Sequence, residues 1–233
     1  MRMHVVQHVP FEGPAMIAEW AAERGFEVTT NLAITEEYPD PAEIDFLVIM
    51  GGPMDADDHL MSPWLGPEKA FLVRTLYEDK RVLGVCLGAQ ILAETLGGAV
   101  HRGAHVEIGW FPLTRTDAAG AQPVFDSFFD GIIVGHWHGD TFSLPAGVNA
   151  TLSSEATVNQ AFSARGGRVV GLQFHAEWTA EAASALIAES ADDLVLDSPY
   201  VATQAELEAG LREHGEACRA ALWGLLDAML EAE

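Results

Sequence analysis

The sequence predicts an α/β fold: a three-layer sandwich in which helices cover both faces of a mostly parallel sheet with an antiparallel extension. In the first hundred residues, short apolar runs alternate with helical patterns, which is typical of parallel strands joined by helices. The run at residues 44–50 is almost wholly apolar, as expected of a strand buried on both faces. Between residues 100 and 173, short β-like runs separated by turn residues predict the antiparallel part.

The alternating half begins with a strand at residues 3–7. A helix at residues 15–24 follows, because Met16, Ile17 and Trp20 fall on one side of it. The other elements of this half follow from the same two periodicities. They are strands at residues 26–34, 44–50 and 81–85, and helices at residues 67–79 and 87–96.

The second half combines β-like runs with two helical patterns. The runs lie at residues 107–113, 132–135, 151–153 and 169–174, and the helices at residues 179–190 and 204–230. We expect one domain over residues 1–190 and a C-terminal helical extension, residues 191–233, packed on that domain. Cys218 falls in the apolar stripe of the last helix, so we expect it to be a core residue.

The charge of the chain disfavours some classes of function. Its 12 Lys and Arg residues against 35 Asp and Glu residues give a net charge of −23, which opposes binding to the phosphates of nucleic acids. The excess of acid fits either an ordinary solvated surface or a salty cytoplasm. No apolar run approaches the ~18–20 residues of a membrane span, and the first residues lack a signal-peptide layout. With only two cysteines, the chain is expected to be cytoplasmic, without membrane or nucleic-acid partners, and its oligomeric state stays open.

The strongest local signal surrounds Cys86. An apolar strand runs into the pattern Gly-x-Cys-x-Gly at residues 84–88 and a helix begins at once, which is the layout of a nucleophile elbow. Gly84 and Gly88 permit the tight turn, and the N-terminus of the helix favours a thiolate at Cys86. The alternative is a small buried cysteine at the end of a strand, which is common.

A cysteine nucleophile needs a base, and the base needs an orienting group. His175 follows the apolar run at residues 169–174, so we expect it at a strand end, where parallel sheets bind ligands. Glu177 lies two residues further on, and in extended backbone both side chains project to the same side. The spacing therefore predicts that Glu177 holds one ring nitrogen of His175 and leaves the other for Cys86.

Two glycines, Gly51 and Gly52, follow the buried strand at residues 44–50. Glycine at the end of a strand leaves backbone N–H groups free to point at a ligand. We therefore expect the N–H groups of Gly52 and Leu87 to form an oxyanion hole, with Gly51 beside the substrate. An ordinary turn is the alternative.

The stretch from His136 to Asp140 has two interpretations. His136 and His138 share one strand face with Asp140 nearby, which suggests a metal site. Zinc needs three or four convergent ligands, however, and no further Cys or spaced His supports such a site. We therefore expect no metal and assign Trp137 and His138 to an aromatic and polar wall of the substrate cleft.

Taken together, three motifs resemble the class I glutamine amidotransferases. They are Gly51-Gly52-Pro53, the elbow Gly84-Val85-Cys86-Leu87-Gly88-Ala89-Gln90 and the segment Gly171-Leu172-Gln173-Phe174-His175-Ala176-Glu177. Their order and spacing, over about residues 3–190, also match the family. Residues 107–110, 136–142 and 159–162 are similar to a stand-alone subgroup related to the amidotransferase part of GMP synthase. One departure is Ala176, where the family commonly has proline, and the implied fold is a flavodoxin-like αβα sandwich.

The resemblance implies a mechanism that needs no cofactor. Cys86 attacks the side-chain carboxamide of glutamine, His175 acts as base and then as acid, and Glu177 orients the ring. Gln90 matches a family position that contacts the bound glutamine. The two backbone N–H groups stabilise the oxyanion, and the thioester on Cys86 is then hydrolysed to glutamate after ammonia has left.

Three functions stay open at this point. The first is a glutamine amidohydrolase, either a stand-alone glutaminase or an amidotransferase subunit with a synthetase partner on a separate chain. The second is a γ-glutamyl peptide hydrolase with the same triad, which motifs do not separate from the first because both form a γ-acyl thioester. The third is a non-catalytic binding or regulatory protein, which the intact set of Cys86, His175 and Glu177 disfavours.

Overall fold

The computed structural model describes residues 1–56 and 62–232. Within this part of the chain, ten strands and five α-helices build the fold. The strands are β1 Arg2–Gln7, β2 Glu27–Leu32, β3 Phe46–Ile49, β4 Arg81–Val85, β5 Ala99–Pro112, β6 Thr114–Arg115, β7 Ile133–Ser143, β8 Ala150–Ser153, β9 Ala161–Ala164 and β10 Val169–Leu172. The helices are α1 Ala15–Glu23, α2 Leu65–Tyr77, α3 Leu87–Thr95, α4 Ala180–Glu189 and α5 Gln204–Glu231.

Eight strands form the main sheet, in the order β2-β1-β3-β4-β10-β9-β8-β6. The neighbours from β2 to β10 are all parallel. The strands β9, β8 and β6 extend the sheet by antiparallel pairs. The prediction of a mostly parallel sheet with an antiparallel extension is therefore confirmed.

Helices cover both faces of this sheet because its central strands are apolar on both faces. Along β3, Phe46 and Val48 join a core formed with α1 and α5, whereas Leu47 and Ile49 join a core formed with α2 and α3. All four side chains are fully buried. The predicted three-layer sandwich is thereby confirmed.

One part of the fold differs from the prediction. The runs predicted at residues 107–113 and 132–135 belong to β5 and β7, which pair with each other instead of extending the main sheet. This two-stranded β5–β7 ribbon has a register shift between Arg102 and Glu107, and such irregularities bend a strand. The prediction that all of residues 100–173 extends the main sheet was wrong for this reason.

The C-terminal helix α5 is fixed at both ends. Thr203 and Glu206 form a capping box at its first turn. Near its other end, Arg81 of β4 donates to the carbonyl oxygens of Met229 at 2.6 Å and Leu230 at 2.8 Å, which have no helical partners. The division of the chain at residue 190 stays a prediction. Neither α5 nor any other helix of the described residues is long and apolar enough to cross a membrane.

Candidate active site

Cys86 lies at a sharp turn between β4 and α3. Its φ of 50° and ψ of −109° are unusual for a residue other than glycine, and such strain concentrates at functional sites. A Cβ on Gly88 would overlap the backbone of Ile49, and one on Gly84 would overlap the backbone of Gly88. Only glycine fits at both positions. The turn holds the thiol at the carboxyl end of β4 and the N-terminus of α3.

His175 is fixed from several sides. Its Nδ1 lies 2.6 Å from Glu177 Oε1, and both side chains are buried. Its backbone exchanges two hydrogen bonds with Gly135 of β7, at 2.7 and 3.0 Å, and its ring stacks on Trp178 with 4.6 Å between centroids. The predicted run at residues 169–174 thus ends as a strand at Leu172, and the chain turns to the β5–β7 ribbon. The remaining ring nitrogen, Nε2, is left for the Cys86 thiol, which lies within hydrogen-bonding reach of the ring.

The charge of the His175 ring is set by two opposing effects. Burial lowers the pKa of His175, because a charged ring is poorly solvated in the interior. The Glu177 carboxylate and the hydrogen bond with Cys86 outweigh burial and raise that pKa well above its ordinary value. The ring therefore favours the imidazolium form, and an imidazolium stabilises a thiolate beside it.

A cleft of about 240 Å³ opens at these groups. This volume is just below the range of about 300–1,000 Å³ for ligand pockets, so the cleft suits a small molecule. The wall includes seven of the nine residues assigned from the sequence, namely Cys86, His175, Gly52, Leu87, Gln90, Trp137 and His138. Glu177 contacts His175 from behind, and a Cβ on Gly51 would lie 3.5 Å from His175 Cε1 and 3.6 Å from Cys86 Cβ. All nine residues therefore converge.

Similarity to known proteins identifies the fold. The sequence profile of the family "Glutamine amidotransferase class-I" matches residues 15–192. The chain belongs to this family. It is 33% identical over 199 residues to YfeJ, a glutamine amidotransferase-like protein of Salmonella typhimurium, with 83% of each chain covered.

Two further relatives of this class I amidotransferase agree. The glutamine-hydrolysing subunit of GMP synthase from Natronomonas pharaonis is 31% identical over 160 residues, which cover 68% of this chain and 80% of that protein. The crystal structure of a glutamine amidotransferase from Thermotoga maritima matches with a TM-score of 0.87 and 30% identity, over 100% of this chain and 99% of that one. The resemblance inferred from the three motifs is thus confirmed.

The two N–H groups assigned to the oxyanion hole of the amidotransferase are close to each other. A Cβ on Gly52 would lie 3.1 Å from Leu87 Cδ2 and 2.9 Å from His8 Cβ. Within residues 1–56 and 62–232, neither N–H donates a hydrogen bond. Leu87 begins α3, and the first N–H groups of a helix have no partner inside it. The cleft therefore offers two free donors beside Cys86.

Gln90, expected to contact the substrate, is engaged within the protein. Its amide donates to Gln173 Oε1 at 3.2 Å and to the carbonyl oxygen of Asp140 at 3.3 Å. Gln173 in turn directs its own amide N–H at the Cys86 sulfur, 3.7 Å away. The sequence reasoning did not assign Gln173 to the site. Its signal was its place two residues before His175, where extended backbone puts both side chains on one side.

Trp137 contacts the nucleophile through its backbone. The Cys86 thiol donates to the Trp137 carbonyl oxygen at 3.6 Å. The indole N–H donates to Asp193 at 2.9 Å, and Asp193 itself lines the cleft. Residues beyond position 190 therefore help to form the wall of the active site.

Glu12 is a cleft residue that the sequence reasoning missed. It lies in the loop after β1 and lines the cleft with Cys86 and His175. Its carboxylate fills the space in front of Gly51, where a Cβ would overlap it. Burial raises the pKa of Glu12, and the nearby Glu177 adds to this, although His175 opposes it. The available signal was an acidic residue in a loop at the carboxyl edge of a parallel strand, where ligands bind.

The stretch from His136 to Asp140 adopts neither of the arrangements weighed from the sequence. Asp140 turns its carboxylate to Arg102, with 3.1 Å between Oδ1 and the guanidinium. Glu107 of β5 joins His136 and His138 instead, and the ligand atoms of these three lie within 4.8 Å of one another. A pattern within one strand could not reveal Glu107, which comes from the partner strand.

Proposed function

We propose that the chain hydrolyses the γ-carboxamide of glutamine through a thioester on Cys86. The proposal is carried by one observation, the convergence of the Cys86 thiol, the His175 ring and the Glu177 carboxylate at one cleft. Two distant stretches of chain supply these groups, and each group has the neighbour that its role needs.

In the first half-reaction, the Cys86 sulfur attacks the carboxamide carbon and a C–S bond forms. The carbonyl oxygen gains negative charge, for which the N–H groups of Gly52 and Leu87 are available donors. His175 then gives its Nε2 proton to the amide nitrogen, the C–N bond breaks and ammonia leaves. Glu177 keeps the ring oriented and stabilises its charge.

In the second half-reaction, water replaces the sulfur. His175 accepts a proton from a water molecule at Nε2 while the water oxygen attacks the thioester carbon. The C–S bond breaks, Cys86 leaves as a thiolate and glutamate is released. The imidazolium and the thiolate are thereby restored, with side chains and backbone of this chain alone.

Glu12 is proposed to bind the α-ammonium group of the substrate. Its carboxylate lines the cleft, and among the described residues it forms no ion pair. A buried carboxylate is costly unless a cation accompanies it. A substrate ammonium group would supply that cation and would orient the γ-carbon toward Cys86.

A γ-glutamyl peptide is the second candidate substrate, and the extent of the cleft favours it. The wall continues beyond Cys86 to Leu186, Ser190 and Leu196, past the space needed by the reacting carboxamide. A group attached to the γ-nitrogen would extend along these residues. The same thioester would form, and an amine would leave instead of ammonia.

A substrate comparison separates the two candidates. Glutamine and γ-glutamyl-alanine are supplied at equal concentrations, and ammonia, alanine and glutamate are measured. Ammonia and glutamate from glutamine support the amidohydrolase, whereas faster release of alanine from the dipeptide supports the peptidase. Folded protein that forms no product from either compound contradicts both.

A glutamine analogue with an electrophile at its γ-carbon tests the nucleophile. We expect the analogue to modify Cys86 and to spare Cys218, as measured by mass spectrometry of peptides. Labelling of Cys218 alone, or of neither cysteine in folded protein, contradicts the assignment.

A synthetase on a separate chain is the proposed acceptor of ammonia. One support is the Natronomonas relative, whose name describes one subunit of a GMP synthase and not the whole enzyme. If a synthetase co-purifies with the chain, adding it should raise glutamine turnover. Unchanged turnover would contradict the partnership and leave the hydrolase assignment intact.

A further inference from the structure

A second cluster of histidine and carboxylate side chains lies in the β5–β7 ribbon. Glu107 stands opposite His138 in the antiparallel register, and His136 lies two residues before His138 on the same face. Glu107 Oε2 is 3.1 Å from His138 Nε2 and 3.6 Å from His136 Nδ1. The side chains of Glu107 and His136 are fully buried, and that of His138 is nearly so. The proposed hydrolase mechanism does not use this cluster.

Polar atoms without partners are concentrated here. Eight buried side-chain nitrogen and oxygen atoms of the described residues lack a hydrogen-bond partner. Four of these eight belong to one neighbourhood: Glu107 Oε1, His136 Nδ1, His136 Nε2 and Gln160 Oε1. Buried polar atoms are nearly always paired in folded proteins, so such a concentration indicates a missing partner.

The protonation states suit a cation as that partner. Burial lowers the pKa of His136 to about 4, so its ring is neutral and keeps a lone pair at neutral pH. Burial would raise the pKa of Glu107, but the charge and hydrogen bonds of the neighbouring histidines outweigh burial and lower it to about 2. Metal ligands must be deprotonated, and a neutral imidazole beside a carboxylate meets that demand.

We propose that Glu107, His136 and His138 bind a Zn²⁺ ion. Bonds of about 2.0–2.1 Å in tetrahedral geometry put neighbouring donor atoms about 3.4 Å apart, and the two distances from Glu107 Oε2 fall on either side of that value. Two imidazoles and one carboxylate are a donor set that zinc accepts. Binding would remove the proton that His138 Nε2 shares with Glu107, so one proton would be released.

Gln160 supplies a fourth donor. Its Nε2 lies 2.7 Å from Glu107 Oε2 and 3.5 Å from His138 Nε2. Turning the amide by half a rotation would bring Oε1 to the same position, and the two orientations differ only in which atom faces the cluster. Because Gln160 precedes β9, the ion would tie the ribbon to the main sheet. It would thereby stiffen the cleft wall at Trp137 and His138.

The first experiment measures metal content in a Cys86→Ser background, because a thiolate beside His175 would itself bind zinc. Metal-free protein is incubated with Zn²⁺, separated by gel filtration and analysed by mass spectrometry of the metal. We expect one zinc per chain. With Co²⁺ in its place, we expect the intense visible absorption of a tetrahedral site. A preparation that retains no metal overturns the proposal.

Paired variants in the same background locate the ion. His136→Gln should weaken zinc binding by more than the roughly 10–100-fold that loss of an outer-shell partner costs. His101→Gln removes an exposed histidine of the same ribbon and should leave binding unchanged. Unchanged affinity in His136→Gln, or equal losses in both variants, would overturn the assignment.

A third measurement stays decisive if His136→Gln does not fold. Zinc that binds only the folded chain raises the melting temperature of the Cys86→Ser protein, and Glu107→Gln, a change of nearly equal shape, should abolish that rise. A crystal soaked in zinc should show anomalous scattering between Glu107 and His136. Ordered water alone at this position would contradict a metal site.

Discussion

Cys86 and Cys218 are the same residue type in two regions that treat a thiol in opposite ways. At the elbow, the Cys86 sulfur meets the His175 ring and the Gln173 amide at the wall of a cleft. On α5, Cys218 is 2% exposed, and its thiol donates to the Ile133 carbonyl oxygen at 3.3 Å. Burial raises the pKa of the Cys218 thiol to about 12, so it stays neutral. Position in the fold, and not residue type, thus decides which cysteine reacts.

The contrast is tested most severely by exchanging each sulfur for oxygen. Cys86→Ser should lower glutamine turnover by about 10⁴-fold or more, because loss of a nucleophile leaves only binding and oxyanion stabilisation. Cys218→Ser should leave turnover close to that of the wild type. Ammonia release measures both, and circular dichroism shows whether each variant is folded. Wild-type turnover in Cys86→Ser would end the nucleophile assignment.

The second test removes the charge that raises the pKa of His175. Glu177→Gln keeps the shape of the side chain, and kcat should fall by about 10²–10⁴-fold, the usual contribution of acid–base catalysis. Glu181→Gln, an exposed site at the start of α4, is the matched control and should keep full activity. Equal activity of the two variants would remove Glu177 from the mechanism.

The pH dependence of the same variant gives the sign of the interaction. In the wild type the imidazolium persists until the pH rises through the raised pKa of His175. Without Glu177 that pKa falls, so the alkaline limb of kcat/KM should move to lower pH. The raised pKa also stabilises the fold fully below the ordinary value of about 6.5, and this contribution is lost as pH rises through the folded-state pKa. Unfolding in urea over a pH series should show the wild-type advantage fading in that direction.

Glycine separates the two regions in a third way. A Cβ on Gly88 at the elbow would overlap the Ile49 backbone, so Gly88→Ala should destabilise the fold by about 1–3 kcal/mol or more. Gly215 lies within α5, where a Cβ would make an ordinary contact of 3.6 Å with Leu211. Gly215→Ala should therefore stabilise the protein by about 0.5–1 kcal/mol. Thermal unfolding measures both, and equal signs would contradict the steric account of the elbow.

Sequence was most informative where the backbone itself dictates the structure over a few residues. β4 has the predicted bounds and α3 begins at the predicted residue, because Gly84, Cys86 and Gly88 act within one turn of the chain. The His175–Glu177 contact was accessible for the same reason, since two residues of nearly extended backbone bring both side chains to one side.

Sequence was least informative where the partner comes from another element. Nothing in the stretch around His136 points to Glu107, because their contact depends on the register between β5 and β7. Gln173 and Glu12 lie in the cleft for a similar reason: each depends on where a turn directs the chain after its strand. The β5–β7 ribbon was missed because glycines and the shift after Arg102 interrupt the alternation by which strands are recognised.

The smallest expected effect concerns the stability that each region gains or loses through charge. Burial raises the pKa of Glu12, so the folded state holds its proton more tightly, and stability falls as pH rises above the ordinary value of 4.5. Glu12→Gln should therefore be more stable than the wild type at pH 7 and equal to it in acid, while KM for glutamine rises. On α5, Arg24 lowers the pKa of Asp227 despite some burial, so Asp227→Asn should lose stability at pH 7 and none in acid. If Glu12→Gln proves less stable at pH 7, the cleft does not hold this charge at the expense of the fold, and Glu12 is a structural residue.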